Sequence, residues 1–245
     1  MLLVDIGNTR IKSAFVDAIE MRGLPPTATA ATAPFASWTE SECPRPARVL
    51  VSNVGGLAIA AKLSAYVREQ WQTTAEFVTP RRLCAGMTTL YAEPQRLGVD
   101  RWLAALAAFH QCQRAVCVID VGTALTVDVV LADGTHLGGL IAPGPDLMRT
   151  SLTRGTAQLE SDALDVIDGF AANTRDAISL GCGDAIAGLL DRVAVRLAAL
   201  SPTTDFEWVV TGGAAATVIA RLDRAHRAIP DLVLRGLQIY AVAAP

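Results

Sequence analysis

The sequence predicts an α/β protein made of two similar halves, and three observations carry that prediction. Apolar runs of strand length alternate with segments of helical period along the 245 residues. Hydrophobic residues are 51% of the chain and charged residues 18%, enough apolar material for a sizeable core and too much for a disordered chain. A short pattern also occurs twice, as Val4-Asp5-Ile6-Gly7-Asn8-Thr9 and as Ile119-Asp120-Val121-Gly122-Thr123-Ala124. In both copies an apolar strand delivers an aspartate, a glycine follows after one residue, then a threonine, then a returning strand. The copies lie close to half a chain apart. This places a boundary near Gln113 and domains at 1–113 and 114–245.

The elements follow in order. Leu2–Ile6 reads as a buried strand and Ile11–Asp17 as the strand returning beside it. The stretch from Met21 to Phe35, with Pro25-Pro26 and many Ala and Thr residues, reads as loop. Ala47–Gly56 is a strand ending at a glycine pair. Leu57–Trp71 has helical spacing through Leu57, Ala61, Ser64, Ala65 and Arg68, with a poorly defined apolar face. Ala75–Pro80 contains a short strand. Val99, Trp102, Leu103, Leu106 and Phe109 fall at i, i+3, i+4 and i+7, an amphipathic helix with Asp100 and Arg101 in its first turn, off the apolar stripe. Val116–Val121 and Thr126–Leu131 are a strand and its return, Asp133-Gly134 is a hairpin dipeptide, and Pro143-Gly144 closes a third strand. Asn173 is placed to cap a long helix whose expected face is Ile178, Cys182, Ala185, Ile186, Leu189, Val193 and Leu197. Phe206–Ala215 reads as a strand running through Gly212-Gly213 into a helix, and the chain ends on a helical segment.

Composition excludes several functions. The net charge is −3 and no Lys/Arg cluster exceeds the Arg81-Arg82 pair, so no nucleic-acid footprint is visible. No apolar run approaches the roughly 18–20 residues that span a bilayer, and the start lacks the pattern of a signal peptide. The five cysteines, Cys43, Cys84, Cys112, Cys117 and Cys182, include no C-x-x-C pair and are expected to be buried free thiols of a cytoplasmic protein. His110, His136 and His226 lack metal-ligand spacing and read as structural or exposed. P-loop, Rossmann and nucleophile-elbow motifs are absent from the sequence.

The repeated bend has a chemical use. Glycine lets a backbone approach a ligand closely, and N–H groups in such a turn, with Asn or Thr side chains, cradle phosphate oxygens. Phosphate brings Mg²⁺, which takes carboxylate oxygens and water. Asp5 and Asp120 would supply that charge, and Lys12 would neutralise a terminal phosphate. Asp-x-Gly is also ordinary turn chemistry; the second copy at a half-chain interval favours the phosphate reading. In Leu97–Trp102, Asp100 is either a helix-terminal carboxylate or a general base for a substrate hydroxyl, and Arg101 either a surface ion pair or the holder of an anionic substrate group. Gly212-Gly213 offers close approach to a flat base or ribose.

Six stretches in order, DIGNTRIK, LGVDRW, DVGTALT, GGLIAPG, NTRDAI and VVTGGA, cover nearly the whole chain and resemble type III pantothenate kinases, which include the Bvg accessory factor proteins. The resemblance implies two ribonuclease-H-like domains of the actin/Hsc70/sugar-kinase superfamily with a cleft between them. It implies ATP-dependent phosphorylation of pantothenate, the first step of coenzyme A synthesis, with Mg²⁺, a monovalent cation (K⁺ or NH₄⁺) and a homodimer. By position, Asp5, Gly7, Asn8, Thr9 and Lys12 match the first phosphate motif, and Gly122, Thr123 and Thr126 the second. Asp120 matches the monovalent-cation ligand, and Asp5 would hold Mg²⁺, directly or through water. Asp100 matches the catalytic base. Tyr91, Gly98, Val99 and Arg101 match pantothenate contacts, as does Thr174, supplied across the dimer. Gly212 and Gly213 resemble the adenosine side. Ser13 departs from the family, many members having Trp there. Two rival readings stay open at this point: a kinase of the same superfamily with another small acceptor, and a non-enzymatic regulator of transcription.

Overall fold

A computed structural model describes residues 1–17, 20–39, 41–153 and 169–243. By contact the chain forms two units. The first comprises Met1–Gln111, Gly134–Leu137 and Asp231–Pro245, and the second Cys112–Asp133 and Gly138–Pro230. The last helix therefore packs with the first unit, although the sequence reading grouped it with the second half.

In the first unit β1 (Leu2–Ile6) pairs antiparallel with β2 (Arg10–Asp17), which pairs antiparallel with β3 (Glu20–Ala28); on its other side β1 runs parallel to β4 (Val49–Asn53), and β4 to β5 (Ala75–Phe77). The order is β3-β2-β1-β4-β5. Central β1 is covered on both faces. Leu2, Val4 and Ile6 meet Ile59, Leu63, Val67 and Trp71 of α1 (Leu57–Trp71), while α6 (Leu232–Ala243) packs on the sheet as well. The buried face of α1 is thus an i, i+4, i+8, i+12 row beginning at Ile59. Leu57, the expected anchor, is exposed. Turn and capping geometry at its end is local: Gln72 takes the left-handed conformation at φ 53° and its N–H reaches the Arg68 carbonyl.

The Met21–Phe35 stretch corrects the loop expectation, since β3 runs through Pro25-Pro26. Proline removes a ladder donor and is tolerated at an edge or bulge. Both conditions hold here: β3 is the edge strand, and its register against β2 shifts between Ile11 and Ser13, opposite the proline pair. Ser13 is buried and its Oγ accepts a 2.9 Å hydrogen bond from the Trp38 indole N–H. Trp38 stacks on Phe35 at 4.9 Å between ring centroids and on Trp71 at 6.0 Å. The volume that a tryptophan would fill at position 13 is met by an indole arriving from another part of the chain.

The first unit also holds a small ribbon that the sequence reading missed, β6 (Leu83–Cys84) and β7 (Met87–Thr89), followed by a short 3₁₀ turn at Pro94–Arg96. After it comes α2 (Val99–Cys112). This helix is buried nearly all round, from Val99 through Ala108, and includes Arg101 at 8% exposure. The amphipathic stripe expected for it understates its burial: its alanines let neighbours close on every side. Gly236 of α6 lies against the Leu103 backbone, so closely that any Cβ there would overlap the Leu103 carbonyl.

The second unit repeats the topology. β8 (Val116–Val121) pairs antiparallel with β9 (Ala124–Val130), which neighbours β10 (Thr135–Pro143). On its other side β8 runs parallel to β11 (Glu207–Thr211), and β11 to β12 (Arg227–Ala228). Two further helices are α3 (Pro145–Thr153) and α5 (Ala215–Ile219). Between them α4 (Thr174–Leu200) begins at Asn173, whose Oδ1 accepts from the Asp176 N–H at 2.9 Å, the expected cap. Its buried stripe is Ser179, Cys182, Gly183, Ile186, Leu190, Val193 and Leu197; Ala185 is exposed. Ile186, Leu190, Val193 and Leu197 pack on Cys117, Ile119 and Val121 of β8 and on Trp208 and Val210 of β11.

The five cysteines are free, four of them buried. Burial pushes the Cys43 thiol up to about 11 and that of Cys117 to about 12, and raises Cys84, Cys112 and Cys182 as well. Among the described residues no helix is long and apolar enough to cross a membrane.

Two outcomes follow from this packing. Gly236→Ala should lower stability by about 1–3 kcal/mol through overpacking against α2, read as a lower urea midpoint. The raised thiols keep their protons in the folded state while unfolded chains release them from about pH 9. Stability from these groups is therefore complete below pH 9 and declines as pH rises toward 12. Cys117→Ala should flatten that decline in urea titrations run between pH 8 and pH 11.

Candidate active site

On each central strand the aspartate is the penultimate residue and the least buried one. Leu2, Leu3, Val4 and Ile6 are fully buried while Asp5 is half-buried; Val116, Cys117, Val118, Ile119 and Val121 are buried while Asp120 is half-buried. Register puts a hydrogen-bonding residue on both sides of each. Asp5 stands opposite Lys12 on β2 and Ser52 on β4. Asp120 stands opposite Thr126 on β9 and Thr211 on β11. Ser52 and Thr211 were not picked out from the sequence. Their signal was present, since each is a hydroxyl residue at a strand end shortly before a glycine pair, in SNVGG and TGG.

The bends beyond the aspartates are tight. Gly7 N–H donates to the Arg10 carbonyl at 3.0 Å, and the Gly7 carbonyl accepts from Thr29 Oγ1 at 2.9 Å. Asn8 and Thr9 are exposed at the tip. In the second unit Gly122 N–H donates to the Ala124 carbonyl at 2.9 Å, and Gly122 and Thr123 are exposed. Gly144 lies against this turn: its N–H donates to the Thr123 carbonyl at 2.9 Å, and a Cβ on it would overlap the Gly122 carbonyl. Gly212, at φ +99°, crosses the same end of β8, where a Cβ would stand 2.5 Å from Asp120 Oδ1 and would overlap the Val121 carbonyl. The structure thus brings Asp120, Gly122, Thr123, Gly212 and, by register, Thr126 to one end of the second unit's sheet. Gly213 is exposed next to them.

Lys12 pairs with Asp231 at 3.3 Å within the first unit. Both side chains are part-exposed, at 33% and 43%, so the pair adds at most about 1 kcal/mol.

The third cluster is built on the first turn of α2. Asp100 Oδ1 accepts from the Arg101 N–H at 2.8 Å and curls over Gly98, where a Cβ would lie 2.7 Å from it. Gly98 also starts the helix, its carbonyl accepting from Trp102 N–H at 3.0 Å. The carboxylate is held at a helix N-terminus, where the backbone dipole favours negative charge. Arg101 is buried, against the expectation of a helix position off the core, and its Nη1 donates to the Tyr91 hydroxyl at 3.2 Å. Val99 is 7% exposed, so its side chain belongs to the core. Thr174 is exposed in the first turn of α4.

Each unit therefore has a mixed sheet of the order 3-2-1-4-5, with an aspartate closing its central strand before a glycine turn. That is the ribonuclease-H-like plan of the actin, Hsc70 and sugar-kinase superfamily, present twice. A conserved Baf family protein from Campylobacter jejuni shares the fold, with a TM-score of 0.59 over 97% of this chain and 96% of that one at 22% identity. Sequence comparison is narrower in what it selects. The family model for type III pantothenate kinase matches residues 1–196. The type III pantothenate kinase of Nitrosococcus oceani is 36% identical over 251 residues, covering 97% of this chain and 92% of that protein. That of Nitrosomonas eutropha is 39% identical over 197 residues, covering 80% and 76%. The chain belongs to the type III pantothenate kinase family.

Gly212→Ala tests the packing at the end of β8. It should cost about 1–3 kcal/mol from the left-handed backbone and the overlap together, seen as a lower midpoint of urea unfolding. Gly213→Ala, at an exposed position, should leave the midpoint within about 0.5 kcal/mol of the parent.

Proposed function

We propose that the chain transfers the γ-phosphoryl group of ATP to the primary hydroxyl of pantothenate, giving 4′-phosphopantothenate. The observation that carries this reading is the cluster at the start of α2. A carboxylate fixed against Gly98 by the Arg101 N–H, a buried guanidinium and a phenol are held together by hydrogen bonds. An acceptor with a hydroxyl at one end and a carboxylate at the other needs those groups: a base for the first and a cation for the second.

Asp100 is the base that takes the hydroxyl proton as the oxygen attacks phosphorus. Arg101 and Tyr91 hold the acceptor's anionic end, and the backbone around Gly98 and Val99 lines its path. The exposed bends at Gly7-Asn8-Thr9 and Gly122-Thr123, with Thr126, supply donors for phosphate oxygens. Lys12 exchanges its contact with Asp231 for the terminal phosphate. The exposed backbone at Gly213, set by the Gly212 turn before it, is the surface on which the adenosine would rest. Such a device works by positioning and by neutralising charge, which is most of what phosphoryl transfer asks of a protein.

Among the described residues no group of three or more His, Cys, Asp or Glu side chains gathers around a point. This suits Mg²⁺, which is commonly held by one or two carboxylates, water and the substrate's phosphates. Asp5 would hold it, directly or through water. Asp120, whose carboxylate occupies the space left by the missing Gly212 side chain, would hold a monovalent cation, K⁺ or NH₄⁺. When bound, these ions screen the charge of the phosphates. The same reading makes the protein a cytoplasmic homodimer in which Thr174 reaches the partner's acceptor.

Coupled ADP release with pantothenate, ATP, Mg²⁺ and K⁺, omitting each in turn, is the direct test. ADP formation should need all four. Asp100→Asn should lower kcat about 10²–10⁴-fold with the unfolding midpoint nearly unchanged; normal turnover by that variant would remove Asp100 from the base role. A protein that binds DNA at physiological salt and releases no ADP would be a regulator instead.

A further inference from the structure

His136 has no place in the chemistry above, and sequence reading gave it none. It is 0% exposed, in the Gly134–Leu137 stretch that belongs to the first unit. There the start of β10 runs parallel to β7 and sets His136 opposite Thr89, which is also 0% exposed. His136 Nδ1 and Thr89 Oγ1 are 3.0 Å apart in a hydrogen bond. The same hydroxyl accepts from the Tyr91 N–H at 3.3 Å, and the His136 carbonyl accepts from the Leu90 N–H at 3.0 Å. Arg82 donates to the carbonyls of Thr89 and Ala92, each at 2.9 Å. The backbone on both sides of Tyr91 is therefore tied down.

The Tyr91 side chain is held separately. Its ring lies parallel to the imidazole, with 9° between planes and 6.2 Å between centroids, within the range of an offset aromatic pair. Its hydroxyl receives the Arg101 guanidinium. A buried imidazole costs free energy unless it is hydrogen-bonded, and a valine or leucine at position 136 would fill space without that requirement. An imidazole pinned by Thr89 does something an aliphatic group does not: it presents a flat face of fixed orientation to the phenol.

We infer that His136 is a positioning residue for the acceptor. Held by Thr89, it fixes the Tyr91 ring, and through the Tyr91 hydroxyl it sets the direction of Arg101. This rests on the proposed role of Tyr91 and Arg101 in holding the acceptor's carboxylate. His136 touches neither ATP nor the reacting atoms in this scheme, so its effect is confined to acceptor binding.

The test compares two substitutions that separate the ring from the hydrogen bond. His136→Asn keeps a polar group near Nδ1 and loses the ring; His136→Phe keeps the ring. With ADP release as the readout, His136→Asn should raise KM for pantothenate about tenfold, the upper scale of an aromatic pair, while KM for ATP and kcat stay within about twofold. His136→Phe should recover most of the loss. In a Tyr91→Leu background, His136→Asn should add little, because the two residues act through one another. Should His136→Asn prove too unstable to assay, His136→Leu, which fills the site without a ring, is expected to give the same selective rise in pantothenate KM. Unchanged pantothenate KM in these variants, an equal rise for both substrates, or additive effects with Tyr91→Leu would overturn the inference and leave the kinase reading intact. Absence of pantothenate-dependent ADP release by the parent protein would instead overturn the kinase reading, and this one with it.

Discussion

A strand buried on both faces has almost nowhere to keep a charge, and the rest of this structure is arranged around that restriction. β1 and β8 are interior strands, each paired on both sides, and apart from one residue each they consist of buried apolar or cysteine side chains. An ionised carboxylate inside such a strand would lose several kcal/mol of hydration. Asp5 and Asp120 lie at the strand end, where the chain turns and water or a ligand reaches. Burial of the strand and placement of its carboxylate are two results of one physical requirement.

The neighbourhood of each carboxylate follows from sheet geometry. A central strand has a partner on each side, so a strand-end aspartate has two cross-strand neighbours. In the first unit these are Lys12 and Ser52, and in the second Thr126 and Thr211. Both units surround the acid with groups that hydrogen-bond and both follow it with a glycine, but only the first has a cation in register. The same plan serves two unequal ends. Gly212 and Gly144 add a further constraint in the second unit, since each passes so close to the Asp120 turn that no side chain fits.

Much of this was legible because it is local. Short continuous apolar runs marked β1 and β8, the returning apolar segments marked β2 and β9 to within about two residues, and the 3.6 period marked α1, α2 and α4. Asn173 announced its cap through side-chain chemistry acting three residues away. The misreadings arose where local preference met a non-local partner. Pro25-Pro26 signals a loop, yet an edge position and a bulge admitted it to β3. Leu57 looked like the anchor of α1, but the sheet selected Ile59, Leu63, Val67 and Trp71. Arg101 reads as a polar first-turn residue, yet it is buried, and its guanidinium donates to the hydroxyl of half-buried Tyr91.

By itself, the sequence determined the two halves, the strand-end aspartates, the glycine turns and the motif that carries Asp100, because each is written in residues close together along the chain. Tertiary structure alone decided that α6 packs with the first unit, that Trp38 supplies the indole over Ser13, that Ser52 and Thr211 flank the aspartates, and that His136 lies flat against Tyr91. Those pairings are settled by strand register and by volume shared between distant segments. Neither leaves a periodic mark in the chain, because each is the outcome of packing the whole unit at once.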